Sequence, residues 1–182
     1  MIRLVALALG LALAPLSAAP AAAQGAVISV DGWERQTGES GSVYFRCRAA
    51  TCAAQSTISY RSQSVTRMPP VADFRRRQEE TNRRMVESSN GRLSRVEMID
   101  VAEADQAGAK TLTAVKLLVA SSGSNQYLAT SLVLQGGRAF SIVSTAPNEA
   151  AARANLRTFI PVVLLQGNLT PAPAPAPAGR TP

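Results

Sequence analysis

The chain has no histidine. That absence removes the Ser-His-Asp and Cys-His nucleophile arrangements and every imidazole metal site. Cysteine is nearly as scarce: Cys47 and Cys52 alone cannot complete a tetrahedral zinc site, and haem and iron–sulfur groups lack their usual ligands. Aromatic residues are few and scattered, one Trp, three Tyr and four Phe in 182 residues, so there is no stacking platform for sugars or single-stranded nucleic acid. No cofactor motif stands out, and the reading calls for no cofactor, no metal and no nucleic-acid partner.

Negative charge is also short, with 12 Asp and Glu against 19 Lys and Arg and a net charge of +7. Such an excess attracts anionic lipid, polysaccharide or cell-wall polymer, and it also serves ordinary solubility. Outside the first helix the acidic residues gather only at Glu97, Asp100, Glu103 and Asp105. Glycosidase chemistry needs two carboxyls about 5–10 Å apart across a cleft. A regular strand turns Glu97 and Asp100 to opposite faces and sets Glu97 too far from Glu103. The chain is therefore read as a non-enzyme, with a carboxylate-dependent hydrolase as the least favoured reading.

What is present starts at the N-terminus. Arg3 precedes an apolar run from Leu4 to Ala14, followed by a small-residue stretch with Ala21 and Ala23 placed for signal peptidase. The run is too short to span about 30 Å of hydrocarbon, and no lipid-attachment Cys follows it, so no membrane anchor is expected after cleavage. Residues 1–23 read as a signal peptide, 24–168 as one domain, and 169–182 as a Pro/Ala-rich disordered tail. The expected location is periplasmic or secreted.

In that compartment two cysteines five apart imply one disulfide, Cys47–Cys52. The spacing predicts a hairpin with a four-residue loop and the cysteines facing each other across its mouth. Val43, Phe45 and Cys47 then share a face with Cys52, Ala54, Ile58 and Tyr60. Tyr44, Arg46 and Arg48 share the other with Gln55, Thr57, Ser59 and Arg61, and a one-residue slip would destroy the sorting. Tyr44, Arg46, Arg48 and Arg61 form a candidate anion or partner-contact patch. A solvated strand face is the plainer alternative.

Around this hairpin the pattern predicts a strand over Ala26 to Asp31, a loop over Glu34 to Ser42, and a helix from Pro70 to Ser89 stopped at Asn90-Gly91. On that helix Glu79 with Arg83 and Glu80 with Arg84 are spaced for ion pairing, so its arginines read as a solvent face. Strands follow over Leu93 to Glu103, Lys110 to Ala120, Gln126 to Gln135 and Arg138 to Thr145, the last two joined by a Gly136-Gly137 turn. A second helix starts at Pro147-Asn148-Glu149 and runs to about Leu165. Its stripe of Ala152, Leu156, Phe159, Ile160, Val163 and Leu164 faces the core, and Pro161 should kink it or shift it to a looser turn.

The result is an α+β domain, an antiparallel sheet of about six to seven strands with two helices packed on it, in the order βββ-α-ββββ-α. With its hairpin before the first helix, its Gly-Gly-linked strands and its closing helix after Ser141 to Pro147, the chain resembles the Mog1/PsbP-like fold, and its exported bacterial members in particular. The Cys47–Cys52 hairpin is a departure. The resemblance implies an accessory or binding protein and transfers no functional residues. The expected function is thus an exported, non-enzymatic accessory or protein-interaction module, its partner a periplasmic protein or an anionic envelope component. The alternative is a small-ligand binder with a pocket near Trp33 and Phe140.

Overall fold

A computed structural model describes residues 28–38 and 42–169, with side chains as far as Gly167. The expected signal peptide and the Pro/Ala segment from residue 170 lie outside the described residues. Seven strands and two helices follow in chain order: β1 (Trp33–Thr37), β2 (Val43–Cys47), β3 (Thr57–Gln63), α1 (Val71–Ser88), β4 (Leu93–Gln106), β5 (Ala109–Ala120), β6 (Asn125–Gln135), β7 (Arg138–Ala146) and α2 (Glu149–Leu169). The strands form one antiparallel sheet in the order β1-β2-β3-β7-β6-β5-β4. This is the α+β arrangement that the residue pattern predicts.

Strand parity decides which helix covers which side chains. On β5 the even-numbered Leu112 and Ala114 pack with Phe74 of α1, while Val115 packs with the α2 stripe. Alternate residues of a strand point to opposite faces, so the two helices lie on opposite sides of the sheet. They are also staggered. Helix α2 packs on β7, β6 and β3, and α1 on β4 and β5. Four of the stripe residues, Phe159, Ile160, Val163 and Ala152, are no more than 1% exposed. Each large apolar side chain so buried contributes about 1.5–3 kcal/mol. The ring of Phe159 meets Trp33 and Phe45 edge-on, with centroids 4.9 and 4.8 Å away.

Helix α2 starts where Asn148 Oδ1 accepts the Ala151 amide at 2.8 Å, a side-chain N-cap. The helix runs through Pro161 and continues to Leu169. Proline lacks the N–H that would serve the carbonyl four residues back, which is that of Arg157. Gln106 Nε2, at the end of β4, donates to that carbonyl at 3.2 Å. The helix therefore continues with the lost bond replaced from a neighbouring strand. At its far end Gly167 lies against Phe140, and a Cβ there would come within 2.4 Å of the ring. Only glycine fits that approach.

Two expectations need correction. No strand occupies residues 28–31, and the first strand runs instead over Trp33–Thr37, inside the predicted loop. Its polar composition hides it, because β1 is an edge strand whose one deep anchor is Trp33. The hairpin register also differs. Phe45 pairs with Ile58 and Arg46 with Thr57, so Cys52 sits in the connecting loop and not across from Cys47. The disulfide is present, with the sulfurs 2.03 Å apart, and it closes this wider loop. The shift in register is an even number of residues, so the face sorting of Val43, Phe45, Ile58 and Tyr60 against Tyr44, Arg46, Thr57, Ser59 and Arg61 survives.

Candidate interaction surface

The stagger of the helices leaves part of the sheet bare. On the side where α1 covers β4 and β5, the strands β1, β2, β3 and β7 have no helix over them among the described residues. Register places Tyr44 beside Ser59, Ser59 beside Val143, Arg46 beside Thr57, Thr57 beside Thr145, and Arg61 beside Ser141. The Thr57 and Thr145 hydroxyls share a hydrogen bond at 2.6 Å. Thr57, Ser59, Val143 and Thr145 are half-buried by their neighbours, whereas Arg46 and Arg61 are exposed and Tyr44 keeps 46% of its surface. The floor is thus small and β-branched, with cations and one phenol standing above it.

Of the four predicted patch residues, the structure brings Tyr44, Arg46 and Arg61 together on this face. Arg48 is tied to an acid beside them: its Nε donates to Oε2 of Glu34, the residue opposite Arg46 in register, at 2.6 Å. That bond, then the charge behind it, holds the Glu34 carboxyl below the usual carboxylate range, with Arg46 adding a little. Among the described residues Arg61 has no acidic partner, and the acid nearest Arg46 in register, Glu34, is bonded to Arg48. A guanidinium without a partner on an open sheet presents its donor fork to whatever anion approaches.

The acidic cluster is arranged differently from the expectation. Between Met98 and Asp100 the β4 register slips by one residue, with Met98 opposite Lys116 and Asp100 opposite Val115. Ile99 is the extra residue of this bulge, and the slip reverses parity beyond it. Glu97 and Asp100 therefore point to the same face, toward α2, and the reason given for separating them does not hold. Each is held by an arginine. Glu97 pairs with Arg95, and Asp100 accepts both Arg153 Nη1 and Nη2 at 3.2 Å while Arg153 Nε also binds Glu149 at 2.8 Å.

The predicted pocket near Trp33 and Phe140 is filled by packing. Trp33 lies on Phe159, and Phe140 is buried against Gly167. Sequence reasoning missed two residues under α1. Lys116 is 1% exposed, between Met98 and Leu128 in register, and Asn82 is 7% exposed with no hydrogen bond to its Oδ1. Burial alone pushes the Lys116 ammonium down from the usual 10.5 to about 8. The signal for Lys116 was readable, since Leu112, Ala114 and Leu118 make its row apolar.

Among the described residues no helix is long and apolar enough to cross a membrane, and no three His, Cys, Asp or Glu side chains gather to hold a metal ion. No protein-family model and no curated protein matches the chain. Among solved structures it is similar to PA94, a Pseudomonas aeruginosa protein of unknown function, with a TM-score of 0.40, 17% identity and coverage of 80% of this chain and 89% of that one. It is also similar to cyanobacterial PsbP (CyanoP) from Synechocystis sp. PCC 6803, with a TM-score of 0.48, 14% identity and coverage of 76% and 79%. Both likenesses are weak.

Proposed function

We propose that this chain is an exported, non-enzymatic accessory module that docks an acidic protein surface on the bare half of its sheet. The observation that carries the reading is that face itself: Arg46 and Arg61 stand beside the exposed Tyr44 over a floor of small side chains that no helix among the described residues covers. Tyr and Arg are the side chains most often found at the energetic centre of protein interfaces. The leader-like N-terminus and the Cys47–Cys52 bond both suit an oxidising compartment outside the cytoplasm.

The test is crosslinking in the exporting bacterium followed by mass spectrometry, comparing the native chain with an R46E/R61E variant and an R75E/R77E control. A periplasmic protein captured by the native chain and the control, and lost in R46E/R61E, supports the reading. Capture unaffected by R46E/R61E, or recovery of a free monomer only, sinks it. Binding of the purified chain to anionic vesicles or cell-wall polymer, abolished by R46E/R61E, would favour the envelope-component alternative.

A further inference from the structure

A second feature lies at the opposite end of the sheet. Between α1 and the edge strand β4 runs an open groove of about 540 Å³, with Val86, Val96 and Met98 as its apolar lining. Glu79, Arg83 and Glu87 stand along its helical wall. They are four residues apart, the spacing at which opposite charges on a helix pair with each other. None of them does so, although Arg84 and Glu80 pair at 3.8 Å on the same helix. The wall therefore presents an acid, a base and an acid on successive turns, each without a partner. Arg95 on the strand side is occupied by Glu97.

Asn82 lies between these charges and also borders the groove. Among the described residues its Oδ1 finds no hydrogen-bond partner, though the side chain is nine-tenths buried. A carboxamide offers a donor and an acceptor side by side, the complement of a peptide group. Strand β4 is the sheet's edge, so one row of its backbone groups has no neighbouring strand. Register slips at Leu93/Arg95 and Met98/Asp100 leave only Arg95 to Met98 regular along the groove.

The geometry points to an extended peptide segment of a partner protein as the occupant, with basic, acidic and basic side chains at alternate positions. Dimensions agree. Glu79 to Glu87 spans about 12 Å of helix, and four steps of extended chain cover about 13 Å. Charges four apart on the helix repeat every ~6 Å, and side chains on one face of a strand repeat every ~6.7 Å. The partner's carboxylate meets Arg83, its two cations meet Glu79 and Glu87, and a main-chain amide meets Asn82. This is strand addition of limited length beside a helix. The chain's own Pro/Ala segment does not fit, having proline at alternate positions and no such charges.

The probe is a labelled, end-capped Lys-Val-Glu-Val-Lys peptide, with Glu-Val-Lys-Val-Glu as its inverse, titrated onto the full chain by fluorescence anisotropy. The first should bind at least tenfold more tightly than the inverse, and added salt should weaken it. The charge-swapped variant E79K/R83E/E87K should reverse the preference, and N82L should weaken both peptides. Equal binding of the two peptides, no binding of either, or a preference that the swap does not reverse would overturn the assignment. These charges are exposed, so the swapped variant folds, and R46E/R61E should leave the result unchanged because the two surfaces are separate.

Discussion

The two faces of the sheet are built to different standards. Under α2 lies a continuous apolar core from Val43 and Phe45 on β2 to Val133 on β6, closed by Phe159, Ile160 and Val163. Under α1 the fully buried apolar residues are Phe74, Leu112 and Ala114, joined by partly buried Met68, Val71, Met98, Val101 and Leu132. The smaller cluster also shares its layer with Lys116 and with Asn82, whose Oδ1 finds no hydrogen-bond partner among the described residues. One face holds the domain together, and the other is left partly open. Among the described residues helix α1 packs on only two strands of the seven-stranded sheet, and the rest of that face has no helix over it.

The difference predicts unequal costs for equal truncations. Phe159→Ala should cost about 4–5 kcal/mol, because a ring at 0% exposure loses contact with both Trp33 and Phe45. Phe74→Ala, on the thinner layer, should cost about 3 kcal/mol, since its cavity lies under a single helix with partly exposed neighbours. Urea denaturation of the two variants measures this. Equal losses would mean that the α1 layer is as tightly built as the other, and the contrast between faces would fall.

A charge in the thinner layer sharpens the comparison. Burial lowers the Lys116 pKa to about 8, while the unfolded chain holds the proton to the usual 10.5. Between those values the unfolded state binds more protons than the folded one, so stability rises with pH across that window. Below pH 8 both states carry the charge, and the fold bears the full cost of burying it. Lys116→Met keeps the length of the side chain and removes the charge. It should stabilise the protein by about 2 kcal/mol at pH 7, and the gain should fade as pH approaches 10.5. Urea midpoints at pH 7 and pH 10 check this, and a gain that does not shrink at the higher pH would mean that the ammonium is not what costs stability.

How far the sequence reveals each face follows the same division. The α2 stripe is legible because Leu156, Phe159, Ile160, Val163 and Leu164 recur at helical spacing, and all are buried. The patch of Tyr44, Arg46 and Arg61 is legible because strand parity survives an even shift in register, even though the hairpin loop was placed wrongly. Asn82 and Lys116 are not singled out by residue type. Their burial comes from α1 lying over β4 and β5, which no local pattern states, and only the apolar neighbours of Lys116 on its own strand give a hint. The bulge at Ile99 is likewise set by pairing with β5, and it turns Glu97 and Asp100 to one face against the alternation that their spacing implies. Strand β1 is hidden for a further reason: an edge strand with one anchor has a composition close to that of a loop.

The smallest effect concerns the place where β4, the edge strand covered by α1, also reaches α2. Gln106 donates to the Arg157 carbonyl that Pro161 leaves without its helical partner. In the native background Gln106→Ala should cost about 0.5–1 kcal/mol, because that carbonyl then has to rely on solvent. In a Pro161→Ala background the helix supplies the missing N–H itself, and the same truncation should cost close to nothing. The coupling between the two positions in a double-mutant cycle is therefore the quantity to measure, and it should equal most of the single-variant cost. Zero coupling would show that the glutamine contact is incidental and that α2 tolerates its proline without help from the sheet. A full coupling would make the end of β4 the one point of this strand that supports the thicker face, while its remaining edge stays open beside α1.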